Sequence, residues 1–124
     1  MKIQILGAHQ FELKGARLTS LLIDGTLAID AGGITSALPL DEQKKIKTVL
    51  LTHHHFDHTR DLVTLAANAG YYWQGQLEVY ALRYTLDVVT TCLLDGKMYV
   101  NFLEYPSKEK PSLLLEAIEP YKRK

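Results

Sequence analysis

The feature that most restricts what this chain can fold into is the heptad Thr-His-His-His-Phe-Asp-His at residues 52–58. It contains all but one of the 5 histidines in the 124-residue sequence. A fold that includes this heptad must bring imidazole and carboxylate groups close together, and these are ligands that zinc, manganese and iron accept. The heptad therefore predicts a metal site inside a folded domain.

The residues on either side place the heptad between a strand and a helix. Residues 47–52 read KTVLLT, and three consecutive apolar side chains are typical of a strand covered on both faces. After Thr59 the apolar residues follow helical spacing, and Gly70 is expected to end that helix; the apolar positions are Leu62, Leu65, Ala66 and Ala69. In open α/β folds, the carboxyl end of a strand is where ligands bind.

The rest of the chain predicts an α/β fold with a mixed sheet. Residues 20–30 contain two apolar runs around Asp24-Gly25, a pair that favours a tight hairpin turn. Strand patterns occupy residues 2–6, 77–81, 99–103 and 113–118, and helical patterns occupy residues 41–46 and 84–94. Because the strands first follow one another and then alternate with helices, we expect antiparallel and parallel pairs in one sheet.

Length and charge limit the possible partners. The length fits a single domain over residues 1–124. Fourteen basic and fourteen acidic residues cancel, which argues against a long nucleic acid as partner but leaves a small phosphorylated substrate open. The start MKIQILGAHQ has no long apolar stretch, and no apolar run approaches the ~18 residues of a membrane span. We therefore expect a cytoplasmic protein without membrane contact. Cys92 is expected to be a buried, inert thiol, because apolar residues precede and follow it at helical spacing.

The spacing within the heptad favours two metal ions. In an extended segment His53 and His55 face the same way, and Asp57 continues that alternation whereas His58 does not. One ion cannot easily collect all four side chains, so two adjacent ions are expected. Considered singly, Asp57 could cap the following helix and His58 could simply lie on its first turn. His54 breaks the alternation and is expected to support its neighbours or the fold.

The segment HHHFDH contains the pattern His-x-His-x-Asp-His and resembles the signature of the metallo-β-lactamase superfamily. The segments GAHQ, RLTSLLID, IDAGG and VLLT are also similar to that family, most of all to the branch with class II cyclic-nucleotide phosphodiesterases and tRNA 3′-processing nucleases. The resemblance implies an αββα sandwich built from two similar halves. This chain covers the first half, so residues 1–124 are expected to form a mixed sheet with helices on one face.

The resemblance also implies a site. His53 and His55 would bind a first metal, Asp57 and His58 a second, and Asp57 would also act in catalysis by handling a proton. Asp30 would orient ligands through hydrogen bonds, although a carboxylate that merely ends a hairpin is the alternative. The expected cofactor is two zinc ions, with manganese or iron as alternatives, and the expected reaction is metal-assisted hydrolysis of an ester, amide or phosphodiester.

The sequence departs from the family pattern after His58, where no further histidine follows. The family takes a third histidine, a bridging aspartate and a last histidine from later segments. Two interpretations therefore stay open. The chain is the amino-terminal part of a binuclear hydrolase of a small ester or phosphodiester, or it is a non-catalytic half-domain that binds metal weakly and serves as a structural or interaction module. Whether the isolated chain is an enzyme stays undecided.

Three further expectations concern residues outside the heptad. His9 either borders the site or is a solvated loop residue. The aromatic run at residues 71–73 either stacks a nucleobase or packs a loop against the sheet. One face of the sheet would stay bare, which predicts a homo-oligomer or a complementary carboxy-terminal fragment; its expected residues are Leu21, Ile23, Leu27, Ile29, Val49 and Leu51.

Overall fold

The computed structural model describes residues 1–123 as a single six-stranded sheet with short helices. The strands are β1 (Ile3–Gly7), β2 (Ser20–Ile23), β3 (Leu27–Ile29), β4 (Thr48–Leu50), β5 (Leu77–Leu82) and β6 (Leu113–Ile118). The helices are α1 (Leu40–Gln43), α2 (Phe56–Thr59), α3 (Asp61–Asn68), a π-helical turn (Ala69–Trp73) and α4 (Arg83–Cys92). Within residues 1–123, every helix is too short or too polar to cross a bilayer.

The strands lie side by side in the order of the sequence, from β1 to β6. The β1–β2 and β2–β3 pairs are antiparallel, and the pairs from β3 to β6 are parallel. Asp24 and Gly25 have φ angles of 49° and 72°, so the hairpin turn has the positive φ values that this pair tolerates. The predicted mixed sheet is confirmed.

The helices cover one face of the sheet. Leu22, Ala28, Val49 and Val79 lie on this face in adjacent registers, and each is at most 1% exposed. They form one core with apolar residues of α3 and α4, namely Leu62, Leu65, Leu86 and Val89. Alternate residues point the other way, as strand geometry requires.

The opposite face, here called the open face, is apolar and less covered. Its aliphatic residues are Ile3, Ile5, Leu21, Ile23, Leu27, Ile29, Leu50, Leu82, Leu114 and Ile118. Ile3 and Ile5 are 55% and 69% exposed. Val49 and Leu51 were expected here, but that expectation is wrong. Because Val49 is in register with Ala28 and Val79, it faces the core, and Leu51 is buried as well.

The helix after the heptad does not end at Gly70. It continues through the π-helical turn and ends where Gln74 takes a left-handed φ of 51°. A Cβ on Gly70 would lie 2.6 Å from the Ser112 hydroxyl oxygen, so this glycine permits close packing inside the turn. The aromatic run is therefore helical.

Two other expectations are also wrong. Residues 99–103 form no strand, since the Leu103 amide donates to the Asn101 side chain and turns the chain there. Their apolar pattern arises because Phe102 is fully buried. Cys92 is exposed at the end of α4, because the apolar stripe of that helix runs through Leu86 and Val89.

Candidate metal centre

The histidine cluster lies at the carboxyl edge of β4. The amides of Asp30 and Leu51 donate to the carbonyls of Leu50 and Tyr80 at 2.8 and 2.9 Å, which holds this edge between β3 and β5. The chain leaves the sheet at Thr52, and α2 begins four residues later at Phe56. The heptad is thus a short connection whose two ends are both fixed by regular structure.

Three imidazole rings of the heptad converge. The ring centroids of His53 and His58 are 4.1 Å apart, and those of His53 and His55 are 4.7 Å apart. Asp57 lies beside them, with its Oδ2 atom 3.3 Å from His58 Nε2. The structure therefore brings together all four side chains that the spacing of the heptad singled out.

Asp30 connects this cluster to the hairpin. Asp30 is only 3% exposed, and its φ of 61° turns the chain sharply at the end of β3. Its carboxylate accepts hydrogen bonds from the Thr52 amide and from His58 Nδ1, each at 2.8 Å, and another from the Thr52 hydroxyl. These contacts go beyond ending a hairpin, because they fix the residue before the cluster and one of its rings.

The same hydrogen bonds indicate which ring nitrogens are free. His58 Nδ1 lies 2.8 Å from the Asp30 carboxylate and donates to it, so Nε2 is the ring nitrogen of His58 that is left for another partner. The Thr52 hydroxyl gives its hydrogen to Asp30 and must accept one from His53 Nδ1, 3.0 Å away. In both rings the Nδ1 contact therefore leaves Nε2 as the nitrogen that a metal ion could take.

The protonation of His53 favours the same form. Burial lowers the pKa of His53, and the positive charges that His58 and His55 can carry lower it further. The carboxylates of Asp30 and Asp57 act in the opposite direction with smaller effects. A lowered pKa favours the uncharged imidazole, which is the form in which a histidine binds a metal ion.

The side chains of the cluster are of the types that bind metal ions, but the set of ligands is incomplete. Asp57 Oδ2 and His58 Nε2 face each other at 3.3 Å, a pair of atoms that a proton or a cation between them would satisfy. Within residues 1–123, no group of three or more His, Cys, Asp or Glu side chains is placed to hold a metal ion. The cluster thus offers pairs of side chains that are suitable as metal ligands.

The loop after Asp30 packs directly against α2. A Cβ on Gly32 would lie 2.0 Å from the Asp57 carbonyl oxygen, so only glycine allows this approach. The Ala31 amide donates to the His58 carbonyl, and the Asp61 amide donates to the Ala31 carbonyl, both at 2.7 Å. The Asp-Ala-Gly-Gly loop therefore supports the helix that carries Asp57 and His58.

Sequence reasoning missed Asp61. This residue is 4% exposed, and its carboxylate accepts from the amides of Ile34 and Thr35, each at 2.8 Å, and from the Thr35 hydroxyl. Asp61 thereby fixes the loop that supports α2. The signal in the sequence was an aspartate directly before the buried helix stripe, but an aspartate in the first turn of a helix is common and draws no attention.

The remaining candidates lie around the cluster. The His54 ring packs against Tyr84 at 5.4 Å and lines a pocket of about 140 Å³ between α2 and α4. His9 lies on an exposed loop with its ring beside Phe11. Asp57 is in the first turn of α2 and does not occupy the N-cap position, which belongs to His55.

The sequence matches the family described as "Beta-lactamase superfamily domain" over residues 19–101, which is more than half of the chain. The chain belongs to the metallo-β-lactamase superfamily. The matched segment of this metallo-β-lactamase superfamily member includes the hairpin, the Asp-Ala-Gly-Gly loop and the heptad. No curated protein sequence matches the chain.

Solved structures share the superfamily fold. Unliganded yeast PDE1 matches with a TM-score of 0.71 and 15% identity, covering 97% of this chain and 51% of that one. The metallo-β-lactamase fold protein YhfI from Bacillus subtilis matches with a TM-score of 0.70 and 18% identity, covering 97% and 46%. A long form of RNase Z from yeast matches with a TM-score of 0.57 and 16% identity, covering 93% and 18%.

This superfamily member therefore spans about half the length of yeast PDE1 and of YhfI. The similarity extends over nearly the whole of the present chain, so the sheet and its helices form a recognisable portion of a larger fold. The predicted family is confirmed, and so is the prediction that the chain corresponds to about half of the fold.

Proposed function

We propose that this chain provides the amino-terminal half of a two-metal hydrolase centre, with zinc as the metal and a small phosphodiester or ester as the substrate. The observation that carries the proposal is the convergence of the His53, His55 and His58 rings, with the Nδ1 atoms of His53 and His58 held by Thr52 and Asp30 and with Asp57 beside His58. Manganese and iron accept the same donors and are the alternative metals.

Each side chain has a separate task in this proposal. His53 and His55 form one ligand pair, and Asp57 and His58 form the other. Asp30 and Thr52 keep two of the rings in the correct tautomer through the hydrogen bonds described above. The metals, when bound, lower the pKa of a water molecule and offset negative charge on the displaced oxygen. Asp57 has a second carboxylate oxygen, which could accept a proton from an attacking water molecule.

The choice of a phosphodiester rests on the family and on the charge of the chain. Two of the structural neighbours are PDE1 and RNase Z, and the sequence signature resembles the same branch. The balanced charge of the chain argues against a long polyanion and favours a small substrate. Lactones and thioesters are the next substrates to test.

A second candidate function is favoured by the missing ligands. Since no group of three ligands occurs within residues 1–123, the chain on its own would bind metal weakly and act as a structural or interaction module. Retention of metal distinguishes the two functions. A completed centre keeps two ions per site in a mild chelator, whereas an incomplete one loses its ion.

Metal binding should depend on the four heptad ligands. We expect alanine at His53, His55, Asp57 or His58 to weaken zinc binding at least about tenfold, as loss of even an orienting partner does. Competition with a chromophoric chelator gives the affinities. His54→Ala is the matched control, because His54 lies in the same run and packs against Tyr84. Unchanged zinc affinity in His55→Ala would contradict the assignment.

Hydrolysis should require metal. If the chain supplied with manganese releases p-nitrophenolate from bis(p-nitrophenyl) phosphate, we expect the release to stop on chelation and to recover when metal is restored. Asp57→Asn should lower the rate by about a hundredfold, because it removes a ligand oxygen and the proton acceptor. Turnover that persists after complete metal removal would refute the mechanism, and inactivity in the presence of bound metal would favour the non-catalytic module.

A further inference from the structure

A second pocket lies far from the histidine cluster. It has a volume of about 400 Å³ and is formed by the π-helical turn and the loop before β6. Its lining includes Tyr71, Gln74, Gly75, Tyr105, Ser107 and Lys110. Pockets that bind small molecules start at about 300 Å³, so this one is large enough for a ligand.

The topology places this pocket at the opposite edge of the sheet. Its two segments precede β5 and β6, which begin at Leu77 and Leu113, so it borders the amino ends of these parallel strands. The histidine cluster follows the carboxyl end of β4, which is parallel to β5. A six-residue strand such as β5 is roughly 20 Å long, so the two sites are separate.

The backbone around the pocket is specialised. A π-helical turn is rare and is often found at functional sites. Gln74, which follows it, has a left-handed φ of 51°, a conformation that costs free energy for a residue with a side chain. This arrangement leaves Tyr71 half exposed at the pocket while its ring packs edge-on against Tyr105 at 5.4 Å.

The chemistry of the lining selects a flat ring with a negative charge. Tyr71 and Tyr105 offer aromatic surface, on which a nucleobase can stack. Lys110 is exposed, and the ion pairs within residues 1–123 do not involve it. None of the described residues that line the pocket is acidic. The Gln74 amide and the Ser107 hydroxyl add hydrogen-bonding groups.

We propose that this pocket is a binding site for a nucleoside monophosphate, with the base against the tyrosine rings and the phosphate beside Lys110. The site is distinct from the metal centre and does not depend on the hydrolase function. It gives the aromatic run a role that combines both earlier expectations, because Tyr71 packs within the protein and also presents a face to the pocket.

The chain contains a built-in reporter for this site. Trp73 is the single tryptophan of the sequence. A Cβ on Gly75 would lie 2.5 Å from the Trp73 Nε1 atom, so the indole covers a glycine that lines the pocket. AMP is titrated into the metal-stripped chain in excess EDTA while tryptophan fluorescence is followed. Adenosine and inorganic phosphate are titrated separately. We expect AMP to give a saturable change at lower concentration than either part alone.

Matched variants test the two halves of the proposal. Lys110→Ala should raise the Kd for AMP about tenfold, whereas Lys108→Ala, two residues away and also exposed, should not change it. Tyr71→Ala should have a similar effect through lost stacking, and the exposed neighbour Tyr72→Ala should have none. His55→Ala should bind AMP normally, which separates this test from the metal centre.

Several outcomes would overturn the site. A fluorescence change that does not saturate with AMP refutes it, as does equal weakening by Lys110→Ala and Lys108→Ala. If inorganic phosphate and AMP bind with equal affinity, the pocket only attracts anions, and the proposed stacking of the base on the tyrosine rings is refuted. Lys110 is exposed, so its variant keeps the fold and the test stands even if Tyr71→Ala unfolds.

Discussion

Gly32→Ala is expected to lower the free energy of unfolding by about 3 kcal/mol or more, the upper end of the costs of overpacking. The new Cβ would lie 2.0 Å from the Asp57 carbonyl oxygen and 2.7 Å from the Thr19 backbone nitrogen. Both obstacles are backbone atoms, so no side chain can rotate away. The first turn of α2 must shift, and Asp57 and His58 shift with it.

Urea unfolding of the metal-free chain measures the first effect, and zinc affinity measures the second. Gly25→Ala is the control, because Gly25 has a φ of 72° but nothing within 4 Å of an added Cβ. We expect it to cost about 1 kcal/mol through backbone strain and to leave zinc affinity unchanged. If both variants lose the same stability and keep the same zinc affinity, the contact between the Asp-Ala-Gly-Gly loop and α2 does not support the site.

The unaltered chain is expected to sediment above its monomer mass of 14.0 kDa at micromolar concentration. The open face has ten aliphatic residues along six strands, and a contiguous bare patch of this kind is unusual on a monomer. A second copy can cover the patch by two-fold symmetry, since such an interface uses the same surface twice. Each square ångström of apolar surface buried contributes about 25 cal/mol before the cost of association.

A charge on the open face should reverse the association. Leu21→Lys places an ammonium group between Ile5 and Ile29 and is expected to give a monomer. Leu40→Lys is the control, because Leu40 is 42% exposed but lies on α1. A complementary carboxy-terminal fragment is the alternative partner, and it would dissociate the assembly when added. A compact 14.0 kDa species from the unaltered chain would show that the open face needs no partner.

The sequence predicted those parts of the molecule in which local pattern and packing agree. The β2–β3 hairpin follows from Asp24-Gly25, and the heptad falls at a strand end because the apolar run stops at Leu51. The approach of His53 and His55 follows from their spacing, whereas His58, which breaks the alternation, joins them because α2 begins at Phe56. The association of a metal with these residues stays a prediction.

The predictions from sequence failed where contacts between residues distant in the chain determine the structure. Gly70 was expected to end the helix. A glycine is needed there because Ser112, which is distant in the sequence, packs against it. Residues 99–103 alternate like a strand because Phe102 fills a gap in the core from a loop. Val49 was assigned to the wrong face, since three consecutive apolar residues give no indication of which one faces the helices. Asp61 was missed because its partners, Ile34 and Thr35, lie on a separate loop.

The order of the strands also determines when the histidine cluster becomes fixed during synthesis. Every strand pairs with the one made just before it, so a chain leaving the ribosome can extend its sheet one strand at a time. The heptad is synthesised early, but the sheet edge that carries it is complete only after the Leu51 amide donates its hydrogen bond to the Tyr80 carbonyl. Until β5 has been translated, the nascent chain presents its histidines on an unfinished edge, and the heptad side chains reach their final places only afterwards.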